Sequence, residues 1–285
     1  MTRKSLFYFA LVGLLWGIPY LLMKVAVEDF PPAAVVAGRT LIGASILIPI
    51  AIYRKKFGGA VLGFKYVAFY ALMEMIGPWI LITTAEQKIN SGLAGLLVST
   101  VPIFATIITS LRGDHSVWQF KRLLGIVVGF IGLILVVGIE SLSGNSDPLS
   151  IAMVIVASMG YAYAVIMVTT NLPLVDGIAI NGLAMAITTV FWAPVAIAQW
   201  PSSISMNSAL SLIALGVFST AFAFILFFKV MAEIGPARSS LVTYLNTAIA
   251  VVLGVIILRE PLTVGIIVGL PLVLVGSYLA SKKTA

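Results

Sequence analysis

The sequence predicts an all-α integral membrane protein: ten transmembrane helices arranged as two inverted five-helix repeats, with both termini cytoplasmic. Three observations predict it. Hydrophobic residues make up 61% of the chain and charged residues only 9%, where an ordinary soluble domain carries about 25% charged residues. The apolar residues gather into runs near the ~20 residues that a helix needs to cross a bilayer. Those runs recur in the same order when the chain is displaced on itself by about 145 residues, the pattern of a duplicated membrane unit.

So few charges cannot cover a water-facing surface of 285 residues with mean hydropathy +1.14. A soluble enzyme, a nucleic-acid binder and a disordered chain are excluded at this step. The pI near 9.7 reflects basic residues scattered between apolar runs, where they read as membrane-flanking charges. With no cysteine in the chain, disulfides, thiolate metal sites and cysteine nucleophiles are removed together. The single histidine, His115, lies in a polar stretch, so no histidine-rich metal site is expected, and no cofactor is expected.

The runs fall at 6–25, 33–53, 66–85, 92–111, 123–139, 149–170, 179–200, 209–230, 237–258 and 262–280. The first follows Arg3 and Lys4 but is too long for a signal-peptide core and precedes no cleavage site, so it reads as a span. The break at 171–178 is carried by Asn171, Pro173, Asp176 and Gly177, and that at 258–262 by Arg259, Glu260 and Pro261. Period-two alternation is missing, which argues against a β-barrel. With a cytoplasmic N-terminus, thirteen of the seventeen Lys and Arg residues fall on the cytoplasmic side; Lys24, Lys88 and Arg259 fall opposite, and Arg39 within a span. This asymmetry sets both termini in the cytoplasm. Glu86 and Glu260 then lie outside the membrane.

The whole chain reads as one transporter domain, 1–285, with repeats at 6–139 and 149–280. The displacement sets Trp16-Gly17 on Tyr161-Ala162. One residue of slip later, Gly125 and Gly132 fall on Gly269 and Gly276. Five spans per copy is an odd number, so the second copy enters from the opposite side, as in secondary transporters that work by alternating access.

These residues resemble the drug/metabolite transporter superfamily in its ten-helix, EamA-type form, over nearly the full length. The resemblance is carried by Trp16-Gly17, Arg39, Pro102 and the Glu260-Pro261-Leu262 hinge followed by Gly269 and Gly276. Within that superfamily the texture is similar to the bacterial YddG-type aromatic amino-acid exporters. The chain departs from the pattern in places. His115 stands in the first repeat where Glu260 stands in the second, Thr247 stands against Pro102, and span 1 lacks the acidic residue of the small four-helix members. The resemblance implies a multi-pass protein of the bacterial inner membrane that moves small organic solutes. Amino acids with aromatic or apolar side chains are the favoured class and a multidrug or other metabolite carrier is the alternative. A membrane enzyme is a remote alternative, since no G-x-x-x-x-G-K, H-E-x-x-H or G-x-S-x-G pattern is present. The expected partners are a small-molecule solute and the lipid bilayer, with no nucleic acid, and a monomer suffices.

Candidate pathway residues are the polar and aromatic ones inside spans. Glu74 lies about 12 Å past one membrane edge and should face protein or water, as a solute-amine or proton site or as a structural hydrogen-bonding group. Arg39 lies about 9 Å below the opposite edge. It would contact a solute carboxylate, or, the favoured reading, snorkel outward or tie helix ends. Trp16 and Tyr20 are four residues apart on span 1. Tyr161, the repeat partner of Trp16, is expected to meet it at the bundle centre. Pro78, Trp79, Tyr163, Ser99, Tyr244 and Asn246 complete the candidate set. Trp118, Tyr53 and Trp200 read as interface anchors. Gly13/Gly17, Gly125/Gly129 and Gly265/Gly269 mark close helix contacts.

Overall fold

The computed structural model describes residues 3–113, 119–142, 147–234, 239 and 242–281. His115 and Trp118 lie outside the described residues. Among those described, all regular structure is helical: α1 (Arg3–Ala26), α2 (Pro32–Tyr53), α3 (Phe57–Leu62), α4 (Phe64–Ala71), α5 (Gly77–Ala85), α6 (Ser91–Val98), α7 (Val101–Leu111), α8 (Phe120–Leu142), α9 (Pro148–Asn171), α10 (Gly177–Ala198), α11 (Met206–Ala214), α12 (Ala223–Ile234), α13 (Val242–Ile257) and α14 (Val264–Ser281). Seven continuous helical stretches among them are long and apolar enough to cross a membrane, and two shorter apolar helices follow at Val242–Ile257 and Val264–Leu279. The chain is therefore an all-helical, multi-pass membrane protein. Helices are the form a chain of this composition must take in lipid, where every backbone amide needs an internal partner.

Local chemistry sets the helix ends. Pro32 and Pro148 sit in the first turns of α2 and α9, where a missing N–H costs nothing. Asp147 accepts from the amide of Ser150 (3.0 Å), Asp176 from those of Ile178 and Ala179 (3.0 and 3.1 Å), and Ser205 from that of Ser208 (3.2 Å). The expected breaks are present: α9 stops at Asn171, and Arg259 takes a positive φ of 55° between α13 and α14. Span 4 divides into α6 and α7 at Ser99–Thr100, with Pro102 in the first turn of α7.

Span 3 is not one regular helix. Between α4 and α5 it winds as a π-helix over Leu72–Ile76, and between α11 and α12 the chain does so again over Leu215–Phe222. The two segments coincide under the displacement of about 145 residues. π-Turns are rare and concentrate at functional sites.

Packing follows the repeats. α2 lies against α10, and α8 against α14. Both pairs are antiparallel. The Thr40 and Thr189 hydroxyls meet at 2.8 Å, while further along a Cβ on Gly182 would touch Leu47 and Ile48. Gly129 faces Gly276, and Gly132 faces Leu272 and Val273. α1 packs on α13, and α9 packs on α6 and α7; exchanging the repeats turns one contact into the other. Gly13 and Gly17 admit Leu245 and Ile249, so this glycine pair mediates close packing inside the fold. Lys88–Asp147 (3.7 Å) closes one end of the bundle and Arg54–Asp176 (3.7 Å) the other.

Candidate functional site

The π-helix in span 3 positions the site. Gly160 of α9 comes so close that a Cβ there would stand 2.8 Å from the Met73 carbonyl and 3.0 Å from Pro78. That approach delivers the next residue, Tyr161, to the face of span 3. Trp192 of α10 donates its indole N–H to the Ile76 carbonyl at 3.1 Å, inside the π segment. The indole N–H thus finds a backbone partner, which a membrane interior demands.

Arg39 occupies the centre of this region and is only 6% exposed. Its guanidinium lies over the Trp79 ring, 3.9 Å from the centroid. Nε and Nη2 donate to Thr220 Oγ1 at 3.3 and 3.1 Å, and Nη1 reaches the Met23 sulfur at 3.7 Å. The expectation that Arg39 snorkels outward is corrected. Span 3 presents an aromatic face and the second π segment a hydroxyl, and together they hold the cation inside the bundle. A guanidinium has five N–H donors, and three are engaged. No carboxylate among the described residues pairs with it.

Glu74, inside the first π segment, is partly accessible, yet its Oε2 is buried and has no hydrogen-bond partner. Tyr161 neighbours both charges. It is within electrostatic range of Glu74, Arg39 and Tyr20. Tyr70, also near Glu74, donates to Asn181 Oδ1 at 3.1 Å, and Asn181 in turn donates to the Gly177 carbonyl at 2.9 Å. Tyr20 is buried against Gly95, close to Arg39. The arrangement is an aromatic chamber in which a cation and a carboxyl group share one tyrosine as a neighbour.

The structure brings Tyr20, Arg39, Glu74, Pro78, Trp79 and Tyr161 together. The expected meeting of Trp16 with Tyr161 is not found: Trp16 packs on Phe224 and Phe227 of α12, with centroids 5.6 and 4.6 Å away. One helical turn separates Trp16 from Tyr20, and the large aromatic surface of α12 captures the indole before it can point inward. Tyr163 packs on Phe69 (5.9 Å) under the Arg112 guanidinium (5.6 Å). Tyr244 lies on Tyr278 (6.3 Å). Asn246 is buried and accepts from the Thr247 hydroxyl (3.3 Å), and Ser99 turns its hydroxyl onto the Leu96 carbonyl (2.6 Å).

Sequence reasoning passed over Tyr70, Asn181 and Trp192. Asn181 had a usable signal, since an amide inside an apolar run needs partners. The complete burial of Glu86, just past the end of span 3, was not legible either.

Comparison with known proteins bears on what this chamber serves. The chain is similar to the "Uncharacterized transporter YoaV" of Bacillus subtilis (strain 168), at 28% identity over 94% of this chain and 93% of that protein. It is 26% identical to the "Uncharacterized inner membrane transporter YedA" of Escherichia coli (strain K12), over 95% and 90% of the two chains. A crystal structure at 15% identity superposes with a TM-score of 0.65 over 98% of each chain, which shows a shared fold. The EamA-like transporter family matches twice, at residues 3–138 and 148–282. The two matches cover nearly all of the duplicated bundle, and the chain belongs to the EamA-like transporter family, a membrane transporter of small solutes and not an enzyme.

Proposed function

We propose that the chain is a secondary carrier of the bacterial inner membrane that exports amino acids with aromatic or apolar side chains by alternating access. The observation that carries this reading is the pair Arg39 and Glu74. They are opposite in charge type, both held inside the bundle, and not joined to each other. A zwitterion completes them: its carboxylate takes the guanidinium N–H groups that Thr220 and Met23 leave over, and its ammonium takes Glu74. Trp79, Tyr20 and Tyr161 then supply the apolar and stacking surface for the side chain. The inner-membrane location of YedA, stated in its name, carries over to this chain.

The inverted relation of the repeats is supported by the antiparallel packing of α2 on α10 and of α8 on α14, because each pair joins equivalent helices. A two-fold axis in the membrane plane produces such pairs, and it fits ten spans with both termini cytoplasmic. A single chain supplies both halves, so the carrier works as a monomer.

The test is uptake by the purified protein in liposomes, with and without a pH gradient. The panel holds aromatic, aliphatic and charged amino acids, nucleosides and a lipophilic cation. Saturable counterflow of aromatic and apolar zwitterions is expected. In Glu74→Gln, zwitterion exchange should fall while neutral solutes are spared. Preferential transport of the lipophilic cation would make this a multidrug carrier of the same fold, and equal handling of all solutes by parent and variant would remove Glu74 from the site.

A further inference from the structure

Where α5 gives way to α6, a second buried cluster adjoins the aromatic chamber, with Tyr20 within electrostatic range of both. Glu86 is 0% exposed, and neither carboxylate oxygen has a hydrogen-bond partner. Lys24 of α1 reaches the same turn, but its Nζ donates to the backbone carbonyls of Glu86 (2.6 Å) and Ile89 (2.8 Å). Glu260 arrives from the α13–α14 connection and closes the start of α6. It accepts from the Ser91 amide (2.8 Å), the Ser91 hydroxyl (2.9 Å) and the Gly92 amide (3.2 Å). The positive φ at Arg259 turns the chain so that the Glu260 amide reaches the Gly254 carbonyl at 3.0 Å. A Cβ on Gly254 would strike the Glu260 carboxylate and come within 2.8 Å of Ser91 Oγ, so glycine is required there.

The two carboxyl groups have opposite circumstances. Glu260 has three donors, which suit an anion. Glu86 has none, and an ionised carboxylate stripped of water and of donors is among the costliest groups to bury. Burial pushes the Glu86 carboxyl well above the usual carboxylate range; Lys24 opposes the rise and Glu260 adds to it. The groups facing Glu86 are Lys24 and Tyr20 on α1 and Glu260 on the α13–α14 connection. Lys88, two residues on, is taken up by Asp147.

We propose that Glu86 is a proton-binding site: it holds a proton while this end of the bundle is closed and releases it to water on this face when the end opens. In the release step the carboxyl O–H bond breaks and the proton passes to water. The Lys24 ammonium then leaves the two carbonyls and pairs with the new carboxylate. Those carbonyl contacts tie α1 to the α5–α6 turn, so their loss loosens this end. The closed form is favoured at low pH, where Glu86 is neutral, and is lost as pH rises through its raised pKa. The inference goes beyond amino-acid export and holds for any solute.

The test uses the full chain in liposomes and two readouts. Infrared difference spectra across a pH step should contain a protonated-carboxyl band that Glu86→Gln removes and Glu74→Gln leaves. A single cysteine placed at Asn90 should react with a membrane-impermeant maleimide at a rate that rises with pH, after correction for thiol ionisation. The rise should be about tenfold per pH unit below the titration point, as for one proton. Glu86→Gln should stay at the low-pH rate throughout, and Glu86→Asp should keep a step at a displaced pH. Lys24→Met should keep the infrared band and react fast at every pH; it carries the test if Glu86→Gln fails to fold. A band unchanged by Glu86→Gln, a labelling step that persists in it, or a slow Lys24→Met overturns the proposal.

Discussion

Replacing Arg39 with lysine separates a carboxylate-binding arginine from one that only holds helices together. The guanidinium stacks on Trp79 at 3.9 Å and sends Nε and Nη2 to one hydroxyl, Thr220 Oγ1. A lysine ammonium has neither the flat face nor the fork. Loss of the stacked cation costs about 1–2 kcal/mol in a desolvated site. Loss of the charge-assisted bonds to a solute carboxylate costs about 1.5–3 kcal/mol more. For a zwitterion the sum, about 2.5–5 kcal/mol, corresponds to an affinity loss of about a hundredfold to several thousandfold. An amine with the same side chain but no carboxylate should lose only the share that comes from disturbed packing, about tenfold. The assay is competition against counterflow in liposomes. An aromatic amino acid would be compared with the matching amine and the matching carboxylic acid, each against parent and Arg39→Lys. Equal losses for the three solutes, or none for the zwitterion, would refute the carboxylate role and leave Arg39 as a tie between span 2, Trp79 and the second π segment.

Other expectations follow from the packing. Gly276→Ala sets a Cβ against the backbone of Gly129 and Gly125, which cannot yield, so thermal unfolding in detergent should show a loss of about 1–3 kcal/mol. Gly58→Ala, with open space around it, should cost nothing. Tyr70→Phe strips the buried Asn181 Oδ1 of its donor and should cost about 1–3 kcal/mol in the same measurement. Cysteines introduced at Ser116 and Ser146 should label from opposite faces of the membrane; labelling from one face would break the five-plus-five inverted reading.

What could be read from the sequence depended on how many residues carried each signal. The seven long apolar helices were legible because each rests on about twenty residues, and the breaks at Arg259-Glu260-Pro261 and Asn171–Asp176 because polar residues and proline coincide there. The duplication was legible from order alone. The two π segments were not, since Leu72–Ile76 and Leu215–Phe222 read as ordinary apolar helix. The first goes with a tertiary approach, Gly160 against the Met73 carbonyl. Side-chain direction failed for the same reason. Trp16 and Tyr20 are four residues apart, yet Trp16 lies against Phe224 and Phe227 while Tyr20 is buried near Gly95. Arg39 was found as a charge in a span, but its burial required Trp79 and Thr220, 40 and 181 residues away.

The charges of the chamber belong to one repeat. Residues 145 positions after Arg39 and Glu74 are Ala184 and Ser219. Glu74 and Ser219 lie in the two π segments, and both have a buried side-chain oxygen without a partner. Ser219 adjoins Thr220, which binds Arg39. On the inverted-repeat reading, Glu74 and Ser219 exchange surroundings when the carrier turns over, so a carboxyl group at either position should face the solute from one of the two sides. Glu74→Ser alone should weaken zwitterion counterflow about tenfold to a hundredfold, the worth of one charge-assisted hydrogen bond. Adding Ser219→Glu should recover much of that loss, with the Kd for the solute improved on the membrane face opposite to the one that benefits in the parent. Thermal unfolding checks that both variants fold. A double variant that folds as well as Glu74→Ser yet transports no better would mean that the π segments are not interchangeable halves of one site.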